Sequence, residues 1–283
     1  MPQRFNWLRI LATLWLLPPS LYAAETFTFQ QNLNGYTGTD DNTIYADRTE
    51  NTNGSHHLIY AGNNISDPRR GLIRFDLNAG NQIIPPGSLI LSVQLQLILQ
   101  YSGLDAADSD IYSIHLLQKA WGEGTVDSGD PGGLGAPANP GDATWTDNRF
   151  MDSKWTTAGG DFLTTPSAEI PIARWNSIDN SKNTYNFASP EMARDAQFWI
   201  DNPGSNFGWI LIGEENGSRN SRRFYSSEAP PPSSPKLTIT FQPPLNSATI
   251  VKYLLGVFTD PTGLDVNGDG VIDIADVIAA SQN

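Results

Sequence analysis

The chain has 283 residues, with 30 acidic against 17 basic side chains, a formal net charge of −13 and no cysteine. Such acidity works against nucleic acid and anionic membrane surfaces as partners, and without cysteine there is neither disulfide nor thiol chemistry, so stability must come from core area and bound metal. The length, with 25 Gly and 20 Pro, suits one large β-domain plus a small appendage.

In chain order, Arg4 and Arg9 precede an apolar run at 10–17, followed by Pro18-Pro19 and Tyr22-Ala23-Ala24. This pattern predicts a secretory signal peptide over residues 1–24, too short to span a bilayer, and a mature protein that is secreted or displayed at the cell surface. Its removal takes away two arginines and no acid, which makes the charge two units more negative. No other stretch is long and apolar enough to form a membrane span.

From 25 to 242 the sequence reads as short β-prone runs bounded by Gly, Pro, Asn or Asp, at 26–29, 43–46, 57–61, 71–75, 89–99, 112–119, 169–172, 209–213 and 237–241. The clearest is 89–99, where Leu91, Val93, Leu95, Leu97 and Leu99 alternate with more polar neighbours and should face a core. Many short strands with little helix predict a mainly β, antiparallel β-sandwich. One helix is expected from Pro190-Glu191 through Ala193, Ala196 and Trp199, ending before Asn202-Pro203-Gly204, and 122–141 is expected to be a long irregular excursion. Pro243-Pro244 opens a linker over 243–247.

The segment 248–283 carries the strongest chemical signal. Counting Asp265 as position 1, Asp265, Asn267, Asp269, Asp273 and Asp276 place side-chain oxygens at positions 1, 3, 5, 9 and 12, Gly270 occupies the sharp turn at 6, and Val271 lends its carbonyl at 7. An all-oxygen set at this spacing points to Ca²⁺. Asp276 stands where a bidentate Glu is usual, which predicts modest affinity and a largely structural ion. The loop should clamp two short helices, one with Val251, Leu254, Leu255 and Phe258 and one with Ile274, Val277 and Ile278, into a small α-helical hairpin. The run from Asp265 to Val277 resembles a dockerin repeat, a module that plugs into cohesin domains. A single repeat is present where dockerins carry two.

The larger domain resembles the DNRLRE family of secreted β-sandwich domains. The resemblance rests on Asp41-Asn42-Thr43-Ile44-Tyr45, Asn51-Thr52-Asn53-Gly54, Arg70-Gly71-Leu72-Ile73-Arg74-Phe75-Asp76, Trp121-Gly122-Glu123-Gly124, Asp142-Ala143-Thr144-Trp145 and Arg223-Phe224-Tyr225-Ser226-Ser227-Glu228, in that order. The resemblance implies a jelly-roll-like sandwich, a non-catalytic module usually appended to surface proteins and polysaccharide-degrading enzymes, some members binding alginate.

Arg70, Arg74, Arg222 and Arg223 are candidates for a basic patch able to hold a uronate carboxylate through paired bonds. Arg74 with Asp76, and Arg223 with Glu228, are the competing structural ion pairs. Among aromatics that could stack on a sugar ring, Trp155 and Tyr225 lie beside Gly- or Ser-rich loops. Asp40, Asp41, Asp127 and Asp130 offer oxygens for a second Ca²⁺ site. His56 and His57, adjacent on an expected strand, should point to opposite faces. No hydrolase elbow, zinc-protease or phosphate-loop motif occurs, so an enzyme is not expected. The reading is a secreted, non-catalytic polysaccharide-binding module with a Ca²⁺-stabilised docking hairpin, whose partner is a polysaccharide, a cohesin-like or surface protein, or a second copy. The alternatives are an assembly protein of an extracellular complex or surface layer and, third, a polysaccharide-degrading enzyme.

Overall fold

A computed structural model describes residues 24–244 apart from 66, 81–82, 104 and 217–218, together with 254–256, 261 and 263–280. The expected signal segment before Ala24 lies outside the described residues, as do Val251 and Phe258 of the first expected C-terminal helix. Ala24–Pro244 forms one compact unit, and the described C-terminal residues belong to a second.

The first unit is an antiparallel β structure, as the alternating runs predict. Its strands are β1 (Glu25–Gln30), β2 (Thr39–Tyr45), β3 (Asn51–Thr52), β4 (Leu58–Asn64), β5 (Asp67–Phe75), β6 (Leu89–Ser102), β7 (Ser109–Leu116) and β8 (Ala136–Pro137). They continue as β9 (Asp147–Arg149), β10 (Ser153–Lys154), β11 (Ala168–Ala173), β12 (Thr184–Ala188), β13 (Trp209–Ile212), β14 (Arg222–Tyr225) and β15 (Lys236–Gln242). One curled sheet runs β1-β15-β6-β14-β4-β5-β13-β7-β11, with β12 also on β6 and β2 also on β5. The sheet closes over a core that includes Phe29, Val93, Leu95, Trp209, Phe224 and Ile239, giving the sandwich-like, jelly-roll-like character.

A second, smaller core explains why β13 is apolar throughout and why Leu72 and Ile73 stand side by side in β5. Ile73 and Phe75 of β5 and Trp209 and Leu211 of β13 point into the main core, whereas Leu72 and Ile210 point the other way, onto Ile44, Trp121 and Trp155. Both faces of these strands are covered, and alternation disappears. The cover comes from residues on either side of the irregular excursion, among them Trp121, Ala143 and Trp155. Asn42, fully buried, donates its amide to Glu123 O (3.0 Å) and Ala143 O (3.2 Å), and its carbonyl accepts the Asn53 N–H (3.0 Å). One side chain thereby ties β2 to three loops, each bond replacing a hydration lost on burial.

The helix appears where capping predicts it. The Ser189 hydroxyl accepts the Met192 N–H (3.0 Å), Pro190 holds the first position, and α1 (Pro190–Asp201) buries Met192, Ala196 and Trp199. In β6, however, Leu91 is 47% exposed and Ile90 is buried in its place. The β15 partner of Thr240 is Ser92 and that of Phe241 is Ile90, so Leu91 is the extra residue of a β-bulge and the inward parity reverses there.

In the C-terminal unit, Leu264 is buried against Val266, Ile272, Val277 and Ala280, and α2 (Ile274–Ala280) follows the loop. Ile272, eighth residue of the loop counted from Asp265, is partly buried against Leu264.

Candidate ligand groove and metal loop

A second bulge in β6 builds a groove. Odd-numbered residues of β6 face inward from Val93 to Leu99, a parity that would bury Tyr101. Arg223 of β14 pairs with Tyr101 and Phe224 with Leu99, leaving Gln100 as the extra residue, so Tyr101 turns outward. On the other side of β14, Arg223 pairs with Tyr60 of β4. Tyr101, Arg223 and Tyr60 therefore form a row across three adjacent strands, on the face opposite Phe224 and Ile59.

The Arg223 guanidinium lies 4.7 Å from the Tyr101 ring centroid, and its Nε–H donates to the Gln100 side-chain carbonyl. None of the arginine ion pairs among the described residues involves Arg223. Its partners are a neutral amide and an aromatic face, so its charge is held in place without being neutralised. The row opens into a cavity of about 460 Å³, lined also by Arg69, Arg219 and residues 131 and 133, within the size range of small-ligand sites. The 131–133 loop is anchored from below: Tyr45 donates its hydroxyl to Gly132 O (3.1 Å), Tyr60 donates to Pro131 O, and the Asn53 carbonyl accepts the Ser128 N–H (3.0 Å).

The other candidate arginines go elsewhere. Arg70 and Arg74 share the even-numbered face of β5 with Leu72, and that face is covered by Trp145, Phe162 and Trp121. Arg70 makes paired bonds to Glu215 (2.8 and 2.9 Å) and donates to Gly159 O. Arg74 pairs with Asp40 through Nε (2.9 Å), not with Asp76. Arg222 is fully buried, donates to Asp110 (2.6 Å) and to the carbonyls of Ala107, Ala173 and Asn220, and lies over the Tyr112 ring. Glu228 accepts from the Ser226 and Ser227 hydroxyls rather than pairing with Arg223.

Of the two candidate aromatics, Trp155 is buried in the second core with its indole N–H on Thr144 O (2.8 Å), and Tyr225 is half-buried on the outer face of β14. The tryptophans at 121, 199 and 209 are buried as well. The aromatics at the groove are tyrosines, and only the β6–β14–β4 register reveals them.

The acids at 40, 41, 127 and 130 take different partners. Asp41 is buried, accepts the Ser227 N–H (2.6 Å) with one oxygen and leaves the other without a partner. Burial, reinforced by nearby acids, pushes its carboxyl well above the ordinary range. Glu123 accepts the Asp41 N–H (2.9 Å), and burial together with Asp40 pushes it up to about 8.

His56 and His57 overturn the strand expectation. β4 begins at Leu58, so both histidines sit in the preceding bend, where alternation does not apply. Their rings come within 4.4 Å, and each Nε2 approaches the same Asp130 oxygen, at 3.7 and 3.6 Å. Burial, followed by the neighbouring His57, lowers the His56 pKa.

In the C-terminal loop, the Asp265 carboxylate accepts the N–H groups of Gly268 (2.7 Å), Asp269 (3.1 Å) and Gly270 (2.8 Å). Asp276 accepts those of Val266 (2.7 Å), Asn267 (3.1 Å) and Asp273 (2.8 Å), the last bond contributing most to its lowered pKa. Gly270 turns with φ +86°, the left-handed conformation the sixth position needs. The two end carboxylates are thus oriented by backbone N–H groups, and the donors at 265, 267, 269, 271, 273 and 276 are oxygens throughout, a set that fits a hard cation. Among the described residues, the group whose His or acidic ligand atoms already lie within 4.8 Å of one another is His56, His57 and Asp130, not this loop. Among the described residues no helix is long and apolar enough to cross a membrane. No protein-family model matches the chain, and no curated protein is similar to it in sequence.

Proposed function

We propose that the protein is a secreted, non-catalytic binding module whose sandwich holds an acidic, uronate-containing polysaccharide in the groove of Tyr101, Arg223 and Tyr60, while the loop at 265–276 takes Ca²⁺ as a structural ion. The observation that carries this reading is the state of Arg223. In a protein with 30 acids and 17 bases, a half-buried guanidinium without a carboxylate partner, stacked on a ring and held by a hydrogen bond, is a ready donor to a carboxylate. Arg219 at the rim, itself paired with Asp105, adds a second cation within the same cavity. The tyrosines supply apolar edges for a pyranose ring.

Affinity electrophoresis through alginate, pectin and a neutral glucan tests this reading. The parent should be retarded by the acidic gels alone, and Arg223→Ala should lose at least tenfold in affinity while keeping the parent fold. Equal retardation of parent and variant would remove Arg223 from any binding role. An assembly role through the C-terminal unit is the second reading, favoured by the exposed apolar side chains of Leu255 and Ile274 on that unit.

A further inference from the structure

We propose that His56, His57 and Asp130 form a binding site for a first-row divalent cation, zinc being the best fit. The first argument is the failure of hydrogen bonding to account for the arrangement. The separations of 3.7 Å (His56 Nε2 to Asp130) and 3.6 Å (His57 Nε2 to Asp130) are too long for hydrogen bonds. His56 is 1% exposed, and its Nε2 has no hydrogen-bond partner, an arrangement that is costly unless something completes it.

The second argument is metric. An ion about 2.1 Å from each of several tetrahedral ligands sets those ligands about 3.4 Å apart. The observed separations lie close to that edge, and all three ligand atoms fall within 4.8 Å of one another. Asp127, 4.0 Å from His56 Nε2, stands in reach of the fourth position, which water otherwise fills. The third argument is chemical. Two imidazoles with a carboxylate suit zinc and its neighbours, in contrast to the all-oxygen set that Ca²⁺ prefers.

The site is built rather than accidental. Gly132, with φ +76°, packs so closely on the His56 ring that a Cβ there would lie 2.6 Å from Cε1. The loop carrying Asp130 is fixed two residues later by the Tyr45 bond to Gly132 O. His56 Nδ1 accepts the Leu58 N–H at 3.2 Å, the long end of the hydrogen-bond range. A cation on Nε2 shifts the ring proton to Nδ1 and gives up that one bond. Because Pro131 and Gly133 also line the groove, the ion would staple the groove's loop to the bend before β4.

Calorimetric titration of zinc into the chelator-stripped, dialysed full chain tests the proposal, with Co²⁺ absorption as a second readout. The expected result is zinc binding that weakens at least tenfold in both His57→Ala and Asp130→Asn and is retained in Asp265→Ala, with visible Co²⁺ bands in the parent that the first two variants lose. His57 and Asp130 have side chains 44% and 78% exposed, so both variants should keep the parent melting temperature. Zinc binding unchanged in those two variants, zinc binding lost only in Asp265→Ala, or no zinc binding by the parent would each overturn the site.

Discussion

The two faces of β14 put neighbouring arginines to opposite uses. On the inner face Arg222 is fully buried and saturated, with Asp110 and three backbone carbonyls as partners, and its neighbour Tyr112 has its hydroxyl pushed up to about 12, chiefly by burial. On the outer face Arg223 has an aromatic ring, an amide and no ion pair among the described residues. A buried charge must be matched or it destabilises the fold, so Arg222 is part of the architecture. A half-exposed charge tolerates being unmatched, and one held rigidly in that state is available to a ligand. Adjacent positions in sequence therefore separate a saturated arginine from one without an ion pair by strand parity alone.

Removing each arginine in turn sharpens the contrast. Arg222→Ala should cost about 3–5 kcal/mol, because it strands the Asp110 carboxylate and the carbonyls beneath it. Urea denaturation measures this loss, and a cost below about 1 kcal/mol would show that the inner network relaxes freely.

A smaller and pH-dependent effect is expected beside β2. The folded protein keeps the Glu123 proton up to about pH 8, whereas the unfolded chain releases it near the ordinary value of 4.5. The folded state binds more protons between those values, so stability falls as pH rises through this window and levels off above it. Glu123→Gln can still accept the Asp41 N–H and carries no charge. It should match the parent near pH 5 and exceed it by about 1–2 kcal/mol near pH 9, after discounting for partial exposure. Thermal melts at the two pH values decide it, and a constant difference between the proteins would place the repulsion elsewhere.

The smallest expected stability effect belongs to Arg223→Ala, within about 0.5 kcal/mol of the parent. A loss comparable to that of Arg222→Ala would make the outer arginine structural too. Ca²⁺ supplies a separate check on the C-terminal unit. A chelator should remove order there while leaving the strand signal of the sandwich unchanged by circular dichroism. Loss of strand signal on chelation would mean that the sandwich itself depends on a bound ion.

The architecture was largely legible because strand alternation and turn residues report directly on burial. The β6 pattern, the capped helix at 190–201 and the loop-forming composition of 122–141 all carry that kind of local signal. The groove was not, because it depends on register. Gln100 as a bulge residue leaves no mark in a sequence that continues to alternate, and β14 is four residues long with two arginines, too short and too charged to be read as a strand. The histidine pair was misread for a related reason: alternation holds only inside a strand, and β4 starts one residue later than the pattern suggests. The proposed ligands at 265–276 are contiguous in the chain, so spacing alone could suggest them, whereas Asp130 meets His56 and His57 only after folding.

The most direct test of the groove follows the Arg223 Nε–H resonance during titration with a short oligouronate, with Arg223→Lys used to assign it. The account predicts that this signal shifts and saturates while those of Arg70 and Arg222, already committed to Glu215 and Asp110, stay in place. A saturable shift at Arg70 or Arg222 with Arg223 unmoved, or no shift at any arginine, would contradict it.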